Sequence, residues 1–279
     1  MTTARLAPRT ALFLPASNPR AIEKARGLSA DLVILDLEDA VKPEDKDLAR
    51  ALALQAVGEG FGPRLCAIRI NASGTGEHEP DLAVVAVSLA DFVILPKVES
   101  AEEADDVARA VDKPLLAMIE TPLGVLAAAE IAAVPGVSGL IAGTNDLAAS
   151  LRLPPSSGRA QMSVALQTIV LAARANAVWA LDGVFNRLDD PEALAAECRE
   201  GRALGYDGKS LIHPNQLEIA ARAFGPTEQE LAEARGLVAA ATGGAERYEG
   251  RMIETMHVDQ ARALLARASD SPTTEHFGA

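Results

Sequence analysis

The stretch "DLVILDLEDA", residues 31–40, decides the fold. Leu32 to Leu35 is apolar over too short a length for a helix and shows no alternation of polar with apolar residues, the pattern of a strand covered on both faces. It breaks at once into carboxylates, Asp36, Glu38 and Asp39. Outward from it the same design recurs in "ALFLPA" (11–16), "LCAIRIN" (65–71), "DFVILPK" (91–97), "PLLAMIE" (114–120), "VSGLIAG" (137–143), "AVWALDG" (177–183) and "YDGKSLI" (206–212). Between these runs lie alanine-rich segments of helical period. Ser100 with Glu103 reads as a capping box before "AEEADDVARAV", and Pro43 opens the turn before "DLARALALQAV". Eight repeats of strand and helix predict an α/β chain folded as a (β/α)8 barrel, with an open doubly wound sheet as the competitor. No G-x-G-x-x-G follows the first run and no Walker A sequence occurs, which removes the usual reasons for the open sheet.

The barrel is expected over residues 1–225. Residues 226–279 read as a C-terminal helical extension of the same domain: "PTEQELAEARGLVAAATGG", with Thr227 and Glu230 as a capping box and Gly243-Gly244 as a stop, then a polar stretch, a short helix "DQARALLARA" and a polar tail. The chain of 279 residues is 49% hydrophobic, enough for one sizeable core. With 26 basic against 39 acidic residues its net charge is -13, which argues against nucleic acid or an anionic membrane as partner. No run is long and apolar enough to span a bilayer and the start lacks a signal-peptide pattern, so a soluble cytoplasmic protein is expected. Cys66 and Cys198 form no metal or disulfide pattern and are expected to be buried thiols.

A barrel carries its active site at the C-terminal ends of its strands. There the sequence sets Asp36, Glu38 and Asp39, then Arg69 and Asn71, Lys97 and Glu99, Glu120, Asn145-Asp146, Asp182, and Lys209 with His213. Any one of these has a structural reading: Asp36, Asp39 or Asp146 could cap a helix, and His213 before Pro214 suits a turn. Arg69, between Ile68 and Ile70, needs carboxylates or an anionic ligand beside it. Glu120 and Asp146 lie at neighbouring strand ends, and two carboxylates with open positions suit Mg2+. Such an ion beside Arg69 would hold an α-keto or α-hydroxy acid and favour carbon-carbon bond chemistry. The histidines have no zinc spacing, and His78 and His276 are expected at the surface. Lys97 is the one positional candidate for a Schiff base.

In order, "RTALFLPASNP", "VILDLEDAV", "IRIN", "ILPKVES", "IETPLGVL", "GTNDLAAS", "LDGVF" and "GYDGKSLIHPNQ" resemble the motifs of the citrate lyase beta subunit-like family, with its malyl-CoA and citramalyl-CoA lyase relatives among the HpcH/HpaI-type barrels. The resemblance covers nearly the whole chain. It implies a TIM barrel, a homotrimer, Mg2+ and cleavage of a 3-hydroxyacyl thioester of coenzyme A, or of an acyl carrier protein in a citrate lyase complex, to an acyl thioester and a keto acid. By it, Arg69 holds the keto acid, Glu120 and Asp146 bind the metal with Glu120 close to substrate, Glu38 and Asp39 orient metal waters, and Arg9 with Lys24 meets the CoA phosphates. The acid that protonates the thioester enolate in relatives is an aspartate in a C-terminal "M-I-D" motif reaching a neighbouring subunit. This chain writes "MIE", with Glu254 in that place and Met256 where proline is common. Glu254 either does the aspartate's work, serves a different thioester, or marks a metal- and CoA-binding homologue of low activity.

Overall fold

The computed structural model describes residues 6–269. Eight parallel strands close into a barrel in sequence order: β1 (Thr10–Pro15), β2 (Leu32–Asp36), β3 (Leu65–Arg69), β4 (Phe92–Leu95), β5 (Leu115–Ile119), β6 (Val137–Ala142), β7 (Trp179–Asp182) and β8 (Gly208–Leu211), with β8 pairing back to β1. The intervening helices are α1 (Pro19–Ala25), α2 (Lys46–Glu59), α3 (His78–Val87), α4 (Ala101–Val111), α5 (Pro122–Ala132), α6 (Thr144–Ser150), α7 (Ser163–Ala175) and α8 (Pro191–Leu204), followed by α9 (Leu217–Phe224). All five residues of β2 are buried, as the unbroken apolar run requires of a strand with a packed interior on one side and helices on the other.

Strand alternation positions the chemistry. In β2, Leu32 and Ile34 belong to the interior cluster with Ala67, Ile94, Leu116, Met118, Ile141 and Leu181. Residues two apart share a face, so Asp36 follows Ile34 inward, Arg69 follows Ala67, and Glu120 follows Met118. The outward positions of β7 and β8 carry a different device. Asp182 and Lys209 are register neighbours, both 0% exposed, with Lys209 Nζ 3.0 Å from Asp182 and 2.7 Å from Glu197 of α8. Arg159 adds a 2.6 Å bond to Asp182. Burial alone would push the Lys209 ammonium pKa down, but the two carboxylates outweigh it and hold it above its ordinary value. These groups therefore brace barrel to helix layer. Lys209→Met, which strips the cation from a buried pair, is expected to lower unfolding free energy by about 3 to 5 kcal/mol in urea melts; a loss under about 1 kcal/mol, the range of an exposed pair, would contradict that bracing.

The chain divides into two compact units, the barrel Ala7–Ala221 and a C-terminal unit that begins at Arg222. The second contains α10 (Glu228–Ala240), a hairpin of β9 (Glu246–Tyr248) with β10 (Arg251–Ile253), and α11 (Thr255–Ser269). Thr227 and Glu230 cap α10 reciprocally. Ala234, Leu237, Ile253, Val258 and Ala261 form its own small core. Glu249 and Gly250, at φ 46° and 83°, make the tight turn that the strands' twist demands. The polar tail and His276 lie outside the described residues.

Candidate functional site

A cavity of about 400 Å3 opens at the C-terminal ends of the strands, lined among others by Asp36, Arg69, Glu120, Thr144 and Asp146. Asp36 and Arg69 are direct register partners on β2 and β3. The Asp36 carboxylate accepts from Arg69 Nε at 2.7 Å and Nη2 at 2.5 Å, a two-pronged grip. Asp36 also accepts from the backbone N–H groups of Glu38 and Ala40, which folds the "DLEDA" segment around it. The guanidinium stacks 4.9 Å over the Phe13 ring. Burial would lower the Arg69 pKa, yet Asp36 and Glu38 keep it raised, so the cation is permanent.

Glu38 is buried, and burial pushes its carboxyl up. Its Oε1 meets Lys97 Nζ at 2.5 Å. Arg69 Nη1 lies 2.9 Å from Oε2 as an ion contact, but without hydrogen-bond alignment, so this buried oxygen accepts no hydrogen bond. Asp39 lies further out, 3.9 Å from Arg69 and 3.7 Å from Lys97.

Glu120 is 3% exposed and accepts from the backbone N–H of Lys97 at 2.7 Å. Burial, with Glu38 and Asp146 nearby, pushes its carboxyl up to about 7. Asp146 sits in the first turn of α6 but makes no cap there; its carboxylate faces Lys97 Nζ at 3.5 Å. Gly143 sits just ahead of α6 and against Glu120: a Cβ there would run into the Glu120 Cβ and carboxylate. Gly143→Ala is therefore expected to displace Glu120 and cut any activity of this cavity at least about a hundredfold, the cost of misplacing a group by an ångström; unchanged activity would show that this approach is not needed.

Among the described residues, no group of three or more His, Cys, Asp or Glu side chains is arranged to hold a metal ion. The cavity mouth instead gathers five carboxylates, from Asp36, Glu38, Asp39, Glu120 and Asp146, around two cations, Arg69 and Lys97. An all-oxygen set with more carboxylates than cations, of which Glu120 and Asp146 face the open cavity, fits a hard divalent cation that keeps several waters.

Arg9 and Lys24 line none of this cavity. Arg9 precedes β1, at the end of the barrel away from the mouth, and its guanidinium grips Asp31 at 3.1 Å through both Nε and Nη2. That pair ties the starts of β1 and β2. Lys24 is exposed on α1, one helical turn after the exposed Arg20. Lys97 is no Schiff-base lysine: burial would lower its pKa, but the Glu38 hydrogen bond and surrounding carboxylates raise it and keep it protonated. His78 is not at the surface; its ring nitrogen lies 2.9 Å from the Asn71 carbonyl. His213 caps a turn, accepting from Asn215. Cys66 and Cys198 are buried and free. In the C-terminal unit Glu254 is exposed, and its N–H donates to His257 Nδ1 at 3.0 Å at the start of α11.

The reading of strand ends missed the work of Asp36. Asp36 is a strand-end carboxylate in the sequence, but its grip on Arg69 follows only from the register of β2 with β3.

The model of the HpcH/HpaI aldolase/citrate lyase family matches residues 9–214. The chain is 44% identical over 271 residues to a (3S)-malyl-CoA thioesterase of Cereibacter sphaeroides, covering 93% of this chain and 94% of that protein. It is 38% identical over 274 residues to a citrate lyase subunit beta-like protein of Deinococcus radiodurans, covering 92% and 96%. A solved structure of protein CitE from Mycobacterium tuberculosis, in complex with magnesium, acetoacetate and coenzyme A, superposes with a TM-score of 0.83 at 34% identity, over 96% of this chain and 100% of that one.

Proposed function

Because the chain belongs to the HpcH/HpaI aldolase/citrate lyase family, we propose that it is a Mg2+-dependent carbon-carbon lyase that cleaves a 3-hydroxyacyl-CoA thioester to an acyl-CoA and a keto acid. The observation that carries this is the gathering of Glu120, Asp146 and the permanent cation Arg69 on one cavity at the strand ends. The ligands of the CitE structure, magnesium, acetoacetate and coenzyme A, are of the same chemical kinds.

Glu120 and Asp146 hold the ion, which when bound draws charge from the substrate's oxygens. Arg69, aimed by Asp36, presents its guanidinium to the substrate carboxylate. Glu38 and Asp39 orient waters at the mouth. A base takes the substrate hydroxyl proton, and that C–O becomes the carbonyl of the keto acid as the adjoining C–C bond breaks. The bonding pair moves onto the thioester as an enolate, which takes a proton at carbon. In this reading residues 226–279 are a lid of the same domain, and Glu254 supplies that proton to a neighbouring subunit. The exposed Leu123 and Leu126 of α5 and Val164 and Leu171 of α7, on two helices that pack together, supply an apolar face for a homotrimer. Lys24, exposed on α1, is the basic side chain of the expected pair that meets the CoA phosphates, with the exposed Arg20 one turn before it. Among the described residues no helix is long and apolar enough to cross a membrane, and the two free thiols suit the cytoplasm; recovery from an extracytoplasmic fraction would overturn that location.

Glu254→Gln is expected to lower turnover at least about a hundredfold while keto-acid binding persists, as removal of a general acid does, and Glu254→Asp to retain activity. Mixed oligomers of Glu254→Gln and Glu120→Gln subunits should regain activity that neither has alone. A monomer in sedimentation, or no recovery on mixing, would contradict catalysis across a subunit boundary.

A second reading has a specific basis. The relatives at 43% and 44% identity are (3S)-malyl-CoA thioesterases, and hydrolysis of the same thioester would use the same carboxylate grip with water as the attacking group. The products separate the two reactions.

A further inference from the structure

Lys97 has no part in the reaction above, yet its backbone is held at φ 53°, in the left-handed region that a lysine seldom occupies. Strain of this kind persists only where the surroundings enforce it, and it clusters at functional sites. Here one residue does two things. Its N–H is fixed on Glu120 Oε1 at 2.7 Å. Its ammonium reaches back over the mouth to Glu38 at 2.5 Å, Asp146 at 3.5 Å and Asp39 at 3.7 Å. Arg69 cannot serve those outer carboxylates well, because Asp36 and Glu38 already hold it and Asp39 lies at 3.9 Å.

We infer that Lys97 is a built-in counter-ion of the mouth, which shields Asp146 and its neighbours when no metal is bound and from which a divalent cation must win Asp146. The inference rests on the assignment of Glu120 and Asp146 as metal ligands. A monovalent charge 3.5 Å from one ligand oxygen repels an incoming divalent ion and sets its affinity lower than the carboxylates alone would give. The benefit is a mouth whose carboxylates stay ordered in the metal-free protein, with less mutual repulsion. The lysine's flexible four-carbon stem lets the ammonium withdraw from Asp146 while it keeps its 2.5 Å contact with Glu38.

The test is Mg2+ titration of the full-length protein by calorimetry, with no substrate present, alongside melting curves in chelator and in Mg2+. Lys97→Met, unbranched and of similar length, is expected to bind Mg2+ at least about tenfold tighter. It should also melt lower than wild type in chelator and gain more from Mg2+. Lys97→Arg keeps the charge and is expected to stay within about threefold of wild type, the usual spread for a retained charge in a changed geometry. If Lys97→Met does not fold in chelator, Mg2+ should restore it; failure to do so overturns the inference. Affinity that is unchanged or weaker in Lys97→Met, or equally tightened in Lys97→Arg, also overturns it. Glu120→Ala and Asp146→Ala in the same titration separate the two failures. If both bind Mg2+ as wild type does, the metal site itself is misassigned; if both lose it while Lys97→Met does not tighten, only the role of Lys97 falls.

Discussion

Glu120→Gln is expected to lower kcat/KM by about a thousandfold, the scale of removing a group that stabilises developing charge, and to abolish measurable Mg2+ binding. The amide oxygen can still accept from the Lys97 N–H, so geometry is kept and only the charge is lost. In wild type, burial and neighbouring carboxylates push Glu120 up to about 7, so its proton competes with the metal near neutrality. Mg2+ affinity should therefore fall as pH drops below about 7, up to about tenfold per unit from this group. Linkage gives the sign for the metal-free protein. The folded pKa is raised above the ordinary 4.5, so the contribution is fully present below 4.5 and is lost as pH rises through about 7. Chelated wild type should thus lose stability across that window more steeply than chelated Glu120→Gln. Retention of wild-type Mg2+ affinity by the glutamine variant would remove Glu120 from the metal site.

Arg69 variants separate charge from shape. Arg69→Met leaves the buried Asp36 without its cation, while Glu38 keeps Lys97, and breaking a buried pair from one side costs about 3 to 5 kcal/mol of stability. Arg69→Lys should recover most of that in urea unfolding, because a cation returns. It should not recover catalysis. A single ammonium cannot make both bonds to Asp36 and present a further donor to the substrate, so kcat/KM is expected to remain about a hundredfold down, mainly through KM for the acid portion. A lysine variant within about tenfold of wild type, closer than the loss of an oriented donor permits, would show that Arg69 acts as charge alone.

How much of this the sequence carried varies by residue and for physical reasons. Most of the eight strands were legible because burial on both faces makes them short apolar runs ending in a polar break; β8, "GKSL", departs from that pattern. Arg69 stood out for the same reason: a guanidinium closing such a run demands a partner. Its partner was not legible. Asp36 faces Arg69 only because β2 and β3 align those two residues in register, and register is a property of pairing, which no local pattern of either strand records. Lys97 was visible as a strand-end lysine, but its left-handed backbone, which turns it onto the carboxylates, has no glycine or asparagine to announce it. His78 looked like a surface residue within a polar stretch, whereas the loop folds its ring back onto the Asn71 carbonyl, seven residues earlier, in a buried position. The hairpin of β9 and β10 escaped notice because each strand is three residues long, too short for alternation to declare itself. The bond of Arg9 to Asp31 was not legible either, because it depends on β1 and β2 lying side by side.

The central claim is that this barrel mouth breaks a carbon-carbon bond, and the most direct test is the product balance from one substrate. With malyl-CoA and Mg2+, cleavage yields glyoxylate and acetyl-CoA in equal amounts, no free CoA thiol, and no reaction in chelator. Free CoA thiol appearing with malate, and no glyoxylate, would contradict the claim and assign the site to hydrolysis.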